Sequence, residues 1–139
     1  MSYRVINEVL DSVVAGIEFI PTIIQENTTI STNKEEISDP YTRTSLLPAE
    51  TNTLTIGPSG WDEFQGLYQI DLFFPSTDGV KGSNFMVDEI IKAFPKGSLI
   101  TQEGINVRIV NYWREPSIES DNLYQTPVII RWDSFIQRP

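Results

Sequence analysis

Apolar and polar positions alternate over residues 66–74, where Tyr68, Ile70, Leu72 and Phe74 fall on one side. That period of two is the signature of a half-buried strand. Pro75 ends the run and Gly79 turns the chain. The period then changes. Ser83, Val87, Ile90, Ile91 and Phe94 recur at helical spacing, so one stripe of this helix can lie back on the strand face. Phe94-Pro95 and Gly97 stop it.

The same reading extends outward. Ile6, Leu10, Val13, Val14 and Ile17 form one helical face, with Asn7, Glu8, Asp11 and Ser12 opposite. Ser2 suits the N-cap and Gly16 the stop. Residues 19–25 are β-rich and short, and Pro21 places them at a strand start or sheet edge. Residues 27–40 are polar and read as a mobile loop. Strands are expected over 41–47 and 51–56, followed by a turn at Gly57-Pro58-Ser59-Gly60. Gly104 opens a strand over 105–112, in which Ile105, Val107 and Ile109 alternate with Asn106 and Arg108. Residues 114–122 read as a second polar loop. Val128, Ile130 and Trp132 alternate with Ile129, Arg131 and Asp133 in a closing strand.

The predicted order is helix, three or four strands, helix, two strands. Short turns between strands favour a mixed, mostly antiparallel sheet. The fold class is therefore α+β, with the N-terminal helix and the central helix packed on the sheet. A chain of 139 residues with no repeat and no linker is expected to form a single domain over residues 1–139.

Several short words occur in order along this frame. They are Tyr41-Thr42-Arg43, Leu47-Pro48-Ala49-Glu50, Ile56-Gly57, Gly66-Leu67-Tyr68-Gln69-Ile70-Asp71, Pro75 with Gly79, and Asp88-Glu89-Ile90 with Phe94-Pro95. Their order and spacing resemble the tail terminators of long-tailed bacteriophages, also described as neck or tail-completion proteins. The resemblance spans nearly the whole chain. It implies a structural virion protein that forms a ring, usually a homohexamer, at the head-proximal end of the tail tube. Its implied partners are other copies of itself, the tail-tube protein and the head-completion protein. DNA would pass through the ring, which would be assembled in the host cytoplasm.

Composition narrows the chemistry. Lys and Arg number 10 against 19 Asp and Glu, a net charge of −9. Specific nucleic-acid binding needs clustered cations, so this balance argues against it, and against anionic membranes as well. There is no cysteine, hence no disulfide and no thiolate metal site. There is no histidine either, which removes the commonest general base and metal ligand. No apolar run approaches the ~18 residues that span a bilayer. Residues 1–8 lack the apolar core of a signal peptide. The Asn27-Thr28-Thr29 sequon is therefore expected to stay unmodified. No cofactor is expected.

Each enzymatic word has a plainer explanation. Ser31-Thr32-Asn33-Lys34 and Ser120-Asp121-Asn122 spell S-x-x-K and S-D-N, but K-T-G is absent and Ser31 sits in a polar loop. Asp62-Glu63 adjoin on a strand and point to opposite faces, so they make a poor dyad. Asp88-Glu89 and Glu35-Glu36 read as solvated charge. Gly79-Val80-Lys81-Gly82-Ser83 lacks the spacing of a phosphate loop and reads as a turn opening a helix. No catalytic, cofactor or metal residue is assigned.

Aromatic residues are the better candidates. Trp61, Trp113, Trp132, Tyr41, Tyr112 and Tyr124 are each either core or interface anchors. The strand phase of Trp132 places it in the core, whereas Trp113 sits where a strand runs into a loop. Arg43 alternates with Thr42 and Thr44 on a strand expected at a sheet edge, where it can pair with a neighbour's carboxylate. The interface residues assigned are Tyr41, Arg43 and Trp113. The favoured function is a non-enzymatic tail terminator. The alternatives are a head–tail connector or minor tail protein of the same assembly, and, from another class, a small hydrolase or ligand-binding domain.

Overall fold

The computed structural model describes residues 2–18, 20–25, 40–75, 81–120 and 123–138. Within them the elements are α1 (Ser2–Ala15), β1 (Thr22–Gln25), β2 (Tyr41–Pro48), β3 (Asn52–Thr53), β4 (Trp61–Pro75), α2 (Lys81–Ala93), β5 (Leu99–Gln102), β6 (Ile105–Arg114), β7 (Ile118–Ser120) and β8 (Leu123–Gln137). One sheet runs in the order β1-β2-β4-β8-β6-β5, with β3 on β4 and β7 on β8. Among the described residues β1–β2 is the one parallel pair, and the others are antiparallel. The mixed, mostly antiparallel α+β fold follows as expected.

Two 15-residue strands, β4 and β8, form the spine and pair along their whole length from Trp61↔Gln137 to Pro75↔Leu123. An antiparallel pairing of this kind needs cover on one face and can leave the other open. On the inner face, Tyr68, Ile70 and Leu72 of β4 and Val128, Ile130 and Trp132 of β8 are buried with Val107 and Ile109 of β6. Ile6, Val9, Leu10 and Val14 of α1 and Met86, Val87, Ile90 and Phe94 at α2 cover them. Both helices thus lie on one face, α1 over β5 and β6 and α2 over β4. The helical stripe of Val87, Ile90 and Phe94 meets the strand stripe of Tyr68, Ile70 and Leu72, as their matched periods require. At roughly 1.5–3 kcal/mol for each buried large aliphatic or aromatic side chain, this layer supplies most of the driving force for folding.

Three local features fix the layer. The Tyr68 hydroxyl, buried under α1, donates a short hydrogen bond to Asp11 Oδ1. Gly66 lies opposite Trp132, and a Cβ there would come within 2.5 Å of the Leu47 carbonyl oxygen and 3.0 Å of the Trp132 ring. Glycine lets the indole and the β2 backbone approach together. Glu103 and Gly104 both take positive φ, 50° and 77°, and close a two-residue turn between β5 and β6. That is the primed-turn geometry that suits strand twist.

The structure corrects four sequence expectations. Four strands follow α2, not two, because β5 and β7 were not anticipated. The strand expected over 51–56 shrinks to Asn52–Thr53. The polar loop expected over 114–122 contains β7, which pairs with β8 from Ile118↔Gln125 to Ser120↔Leu123. Finally, β2 is not an edge, since β1 covers it with Ile24 opposite Arg43. The loop read over 27–40 falls, up to residue 39, outside the described residues, as do Gly79, Ser31, Lys34, Glu35, Glu36, Asp121 and Asn122.

Candidate subunit interface

The face of the sheet away from the helices carries the three assigned residues. Cross-strand partners share a face, so the register places them. Arg43 stands opposite Asp71, which stands opposite Pro127. One step along, Gln69 stands opposite Ile129, which stands opposite Trp113. Tyr41 stands opposite Phe73. Arg43 and Trp113 are three strand spacings apart across the sheet, about 14 Å, and are also offset along the strands by two residues, about 7 Å.

Tyr41 stacks on Phe73, with ring centroids 4.4 Å apart and planes 9° from parallel. The Arg43 guanidinium lies 5.6 Å from the centroid of the same ring. Asp71 is buried and accepts a 2.8 Å hydrogen bond from Gln69 Nε2. The Tyr41 hydroxyl is pushed above its ordinary pKa, chiefly by burial, while Arg43 pulls it down and Asp71 pushes it up. Arg43 makes no ion pair among the described residues. It is a half-buried cation held beside an aromatic ring and opposite a carboxylate, not a free surface charge.

Trp113 reaches the outer face through a bulge. The β6–β8 register slips between Ile109 and Asn111, leaving Val110 as the extra residue. Before it, Val107 and Ile109 point inward. After it, Tyr112 faces Ile130 on the inner side and Trp113 faces Ile129 on the outer. Unbroken alternation would have sent Trp113 into the core, so the bulge re-aims it. Trp113 remains 36% exposed, and its Nε1 donates to Glu115 Oε1 at 2.9 Å. Tyr112 instead lies under the Lys96 ammonium, 4.8 Å from its ring centroid.

Trp113 forms one wall of a shallow, largely apolar groove with Leu67, Gln69, Pro127, Ile129 and Ile118. The strand-phase reading passed over Leu67, Pro127 and Ile129. The run Pro127-Val128-Ile129-Ile130 carried the signal, since a strand apolar at consecutive positions presents apolar side chains on both faces. Farther along the same face, Arg108 grips Asp133 with two hydrogen bonds, one of 3.0 Å, and lies 5.8 Å from the Phe135 ring. That contact raises the already high Arg108 pKa through the Asp133 hydrogen bond first and its charge second.

The other candidates divide between core and surface. Trp132 is fully buried. Trp61 is exposed at the start of β4. Asp62 pairs with Arg138 at 3.0 Å and Glu63 accepts from Asn52 at 3.0 Å, so each carboxylate has its own partner. Glu89 pairs with Lys92 at 3.2 Å, and Asp88 is exposed. Lys81 to Ser83 open α2 as a helix start. Among the described residues no group of three or more His, Cys, Asp or Glu could hold a metal ion. No helix there is long and apolar enough to cross a membrane.

A family model described as "Phage tail terminator protein" matches residues 6–132. A solved structure superposes with a TM-score of 0.71 at 19% identity and covers 96% of each chain. That likeness is one of fold. No curated protein sequence matches.

Proposed function

Because the chain belongs to the phage tail terminator family and so has a structural role in the phage tail, we propose that it ends tube growth as a ring at the head-proximal end. Identical subunits close into a homohexamer that stacks on the last ring of tail-tube protein. The closed ring leaves no surface for another tube ring and presents a new face to the head-completion protein. The mechanism is geometric and needs no turnover. A ring of one kind of subunit requires two unlike surfaces on each copy that fit each other. The observation that carries this reading is the outer sheet face, where Tyr41 and Arg43 on β2 share a side with an apolar groove walled by Trp113, which no helix among the described residues covers. Apolar surface left open on a small protein marks a place of contact.

Light scattering on the purified chain tests the ring. The account expects a species of six times the subunit mass. A chain that stays monomeric or dimeric over the whole soluble range contradicts it. Binding to the head-completion protein without binding to tail tubes would point to the connector role instead.

A further inference from the structure

If the ring forms, the groove on the outer sheet face needs an occupant from the next copy, and the helix layer offers one. Arg131 stands at the groove, opposite Leu67 on one side and Asn111 on the other. It is exposed and makes no ion pair among the described residues. The groove is therefore a largely apolar slot, with the Glu115 carboxylate tied to Trp113 on its wall and, beside it, a cation that has no ion pair among the described residues. On α2, Met86, Val87 and Ile90 turn into the core while Phe85 turns out, 52% exposed. Asp88 follows three residues later, exposed and likewise without an ion pair among the described residues. Residues at i and i+3 share a helix face. So α2 presents an aromatic ring with a carboxylate beside it, the complement of the slot and its cation.

We propose that Phe85 of one copy seats in the groove of the next, against Trp113 and Ile129, and that Asp88 pairs with Arg131. The contact joins the helix layer of one subunit to the sheet face of another. It is thus head-to-tail, the type that closes into a ring, not back-to-back. Charge favours α2 over the most exposed apolar side chain of the described residues. Ile56 is 99% exposed, but residues 51–60 around it hold no carboxylate to meet Arg131. Truncating a central aromatic anchor removes most of a contact of this kind, whereas rim charges set its register.

The inference rests on the ring reading, and the test separates the two. Light scattering is run on the full chain as wild type, Phe85→Ser, Arg131→Glu, Asp88→Arg and the Arg131→Glu/Asp88→Arg double variant. Circular dichroism melting checks that each folds, as expected for exposed positions. The expected result is that each single variant drops sixfold in mass to one subunit, and that the double variant recovers the ring mass. Wild-type rings that persist in all three single variants overturn the contact and leave the ring standing. Folded single variants that fall apart while the double variant also fails overturn the Asp88–Arg131 pairing. Variants that form rings but no longer bind tail tubes assign the groove to the tube protein and overturn the proposal. A wild-type chain that never assembles overturns the ring itself.

Discussion

Tyr68 shows how much one side chain decides. It lies on the β4 face that the alternation marked as buried, and its hydroxyl ties the sheet to Asp11 on α1. Burial first, then the Asp11 charge and hydrogen bond, push its pKa far above the ordinary 10.0, with a Thr44 hydrogen bond acting the other way. In the unfolded chain the phenol ionises near 10. Below that pH the proton is held in both states, and the full contribution is present. Above it the unfolded chain releases the proton while the folded chain keeps it, so stability falls as pH rises, by about 1.4 kcal/mol per pH unit for this one group. Tyr68→Phe is expected to cost about 1.5–3 kcal/mol at neutral pH, the range for a hydrogen bond to a charged acceptor. It should also flatten the decline above pH ~10. Urea midpoints of both proteins at pH 7 and above 10 check this, and equal alkaline slopes would contradict it. At this scale Trp132 was legible from its phase alone. Trp113 was not, because the extra residue at Val110 is fixed by the β8 register and leaves no local mark. Arg43 was misplaced at an edge for a similar reason. Its cover, β1, pairs in parallel from outside the local pattern.

At the scale of elements, the sequence carried furthest where one face is apolar and the other polar. The strand stripe of Tyr68, Ile70 and Leu72 and the helix stripe of Val87, Ile90 and Phe94 were both readable, and they meet. Elements held mainly by backbone pairing were not. In β5 burial alternates, with Leu99 and Thr101 exposed and Ile100 and Gln102 half-buried, but the residue types Leu-Ile-Thr-Gln do not, and the Glu103-Gly104 turn reveals the strand only through its φ angles. In β7 the lone apolar residue is the exposed Ile118. Ile90 tests the packing of α2 on β4. Ile90→Ala should cost about 2–5 kcal/mol through lost transfer energy and the cavity left behind. Ile90→Asp should prevent folding, since it buries a charge with no partner. Denaturant unfolding measures the first and soluble yield with circular dichroism the second. An Ile90→Asp chain that is soluble and melts at the wild-type temperature would refute the layer arrangement.

At the scale of the whole molecule, charge bears on the proposed ring. Six subunits at −9 would carry −54 (6 × −9). A ring around the path of DNA gains from repelling the phosphate backbone, because a basic lumen would hold the duplex with salt-dependent affinity. The purified protein is expected to show no binding to duplex DNA by fluorescence anisotropy at about 0.01–0.05 M salt, where screening is weakest. Binding that weakens as salt rises would indicate a basic lumen and end the passive-conduit account. The purpose of the proposed ring, however, is to stop the tube. Electron microscopy of the same phage's tail-tube protein, polymerised with and without it, tests that most directly. The account predicts tubes that cease to lengthen once the chain is added, each with one extra ring at a single end. Tubes that keep growing at the same rate and bear no terminal ring would contradict it.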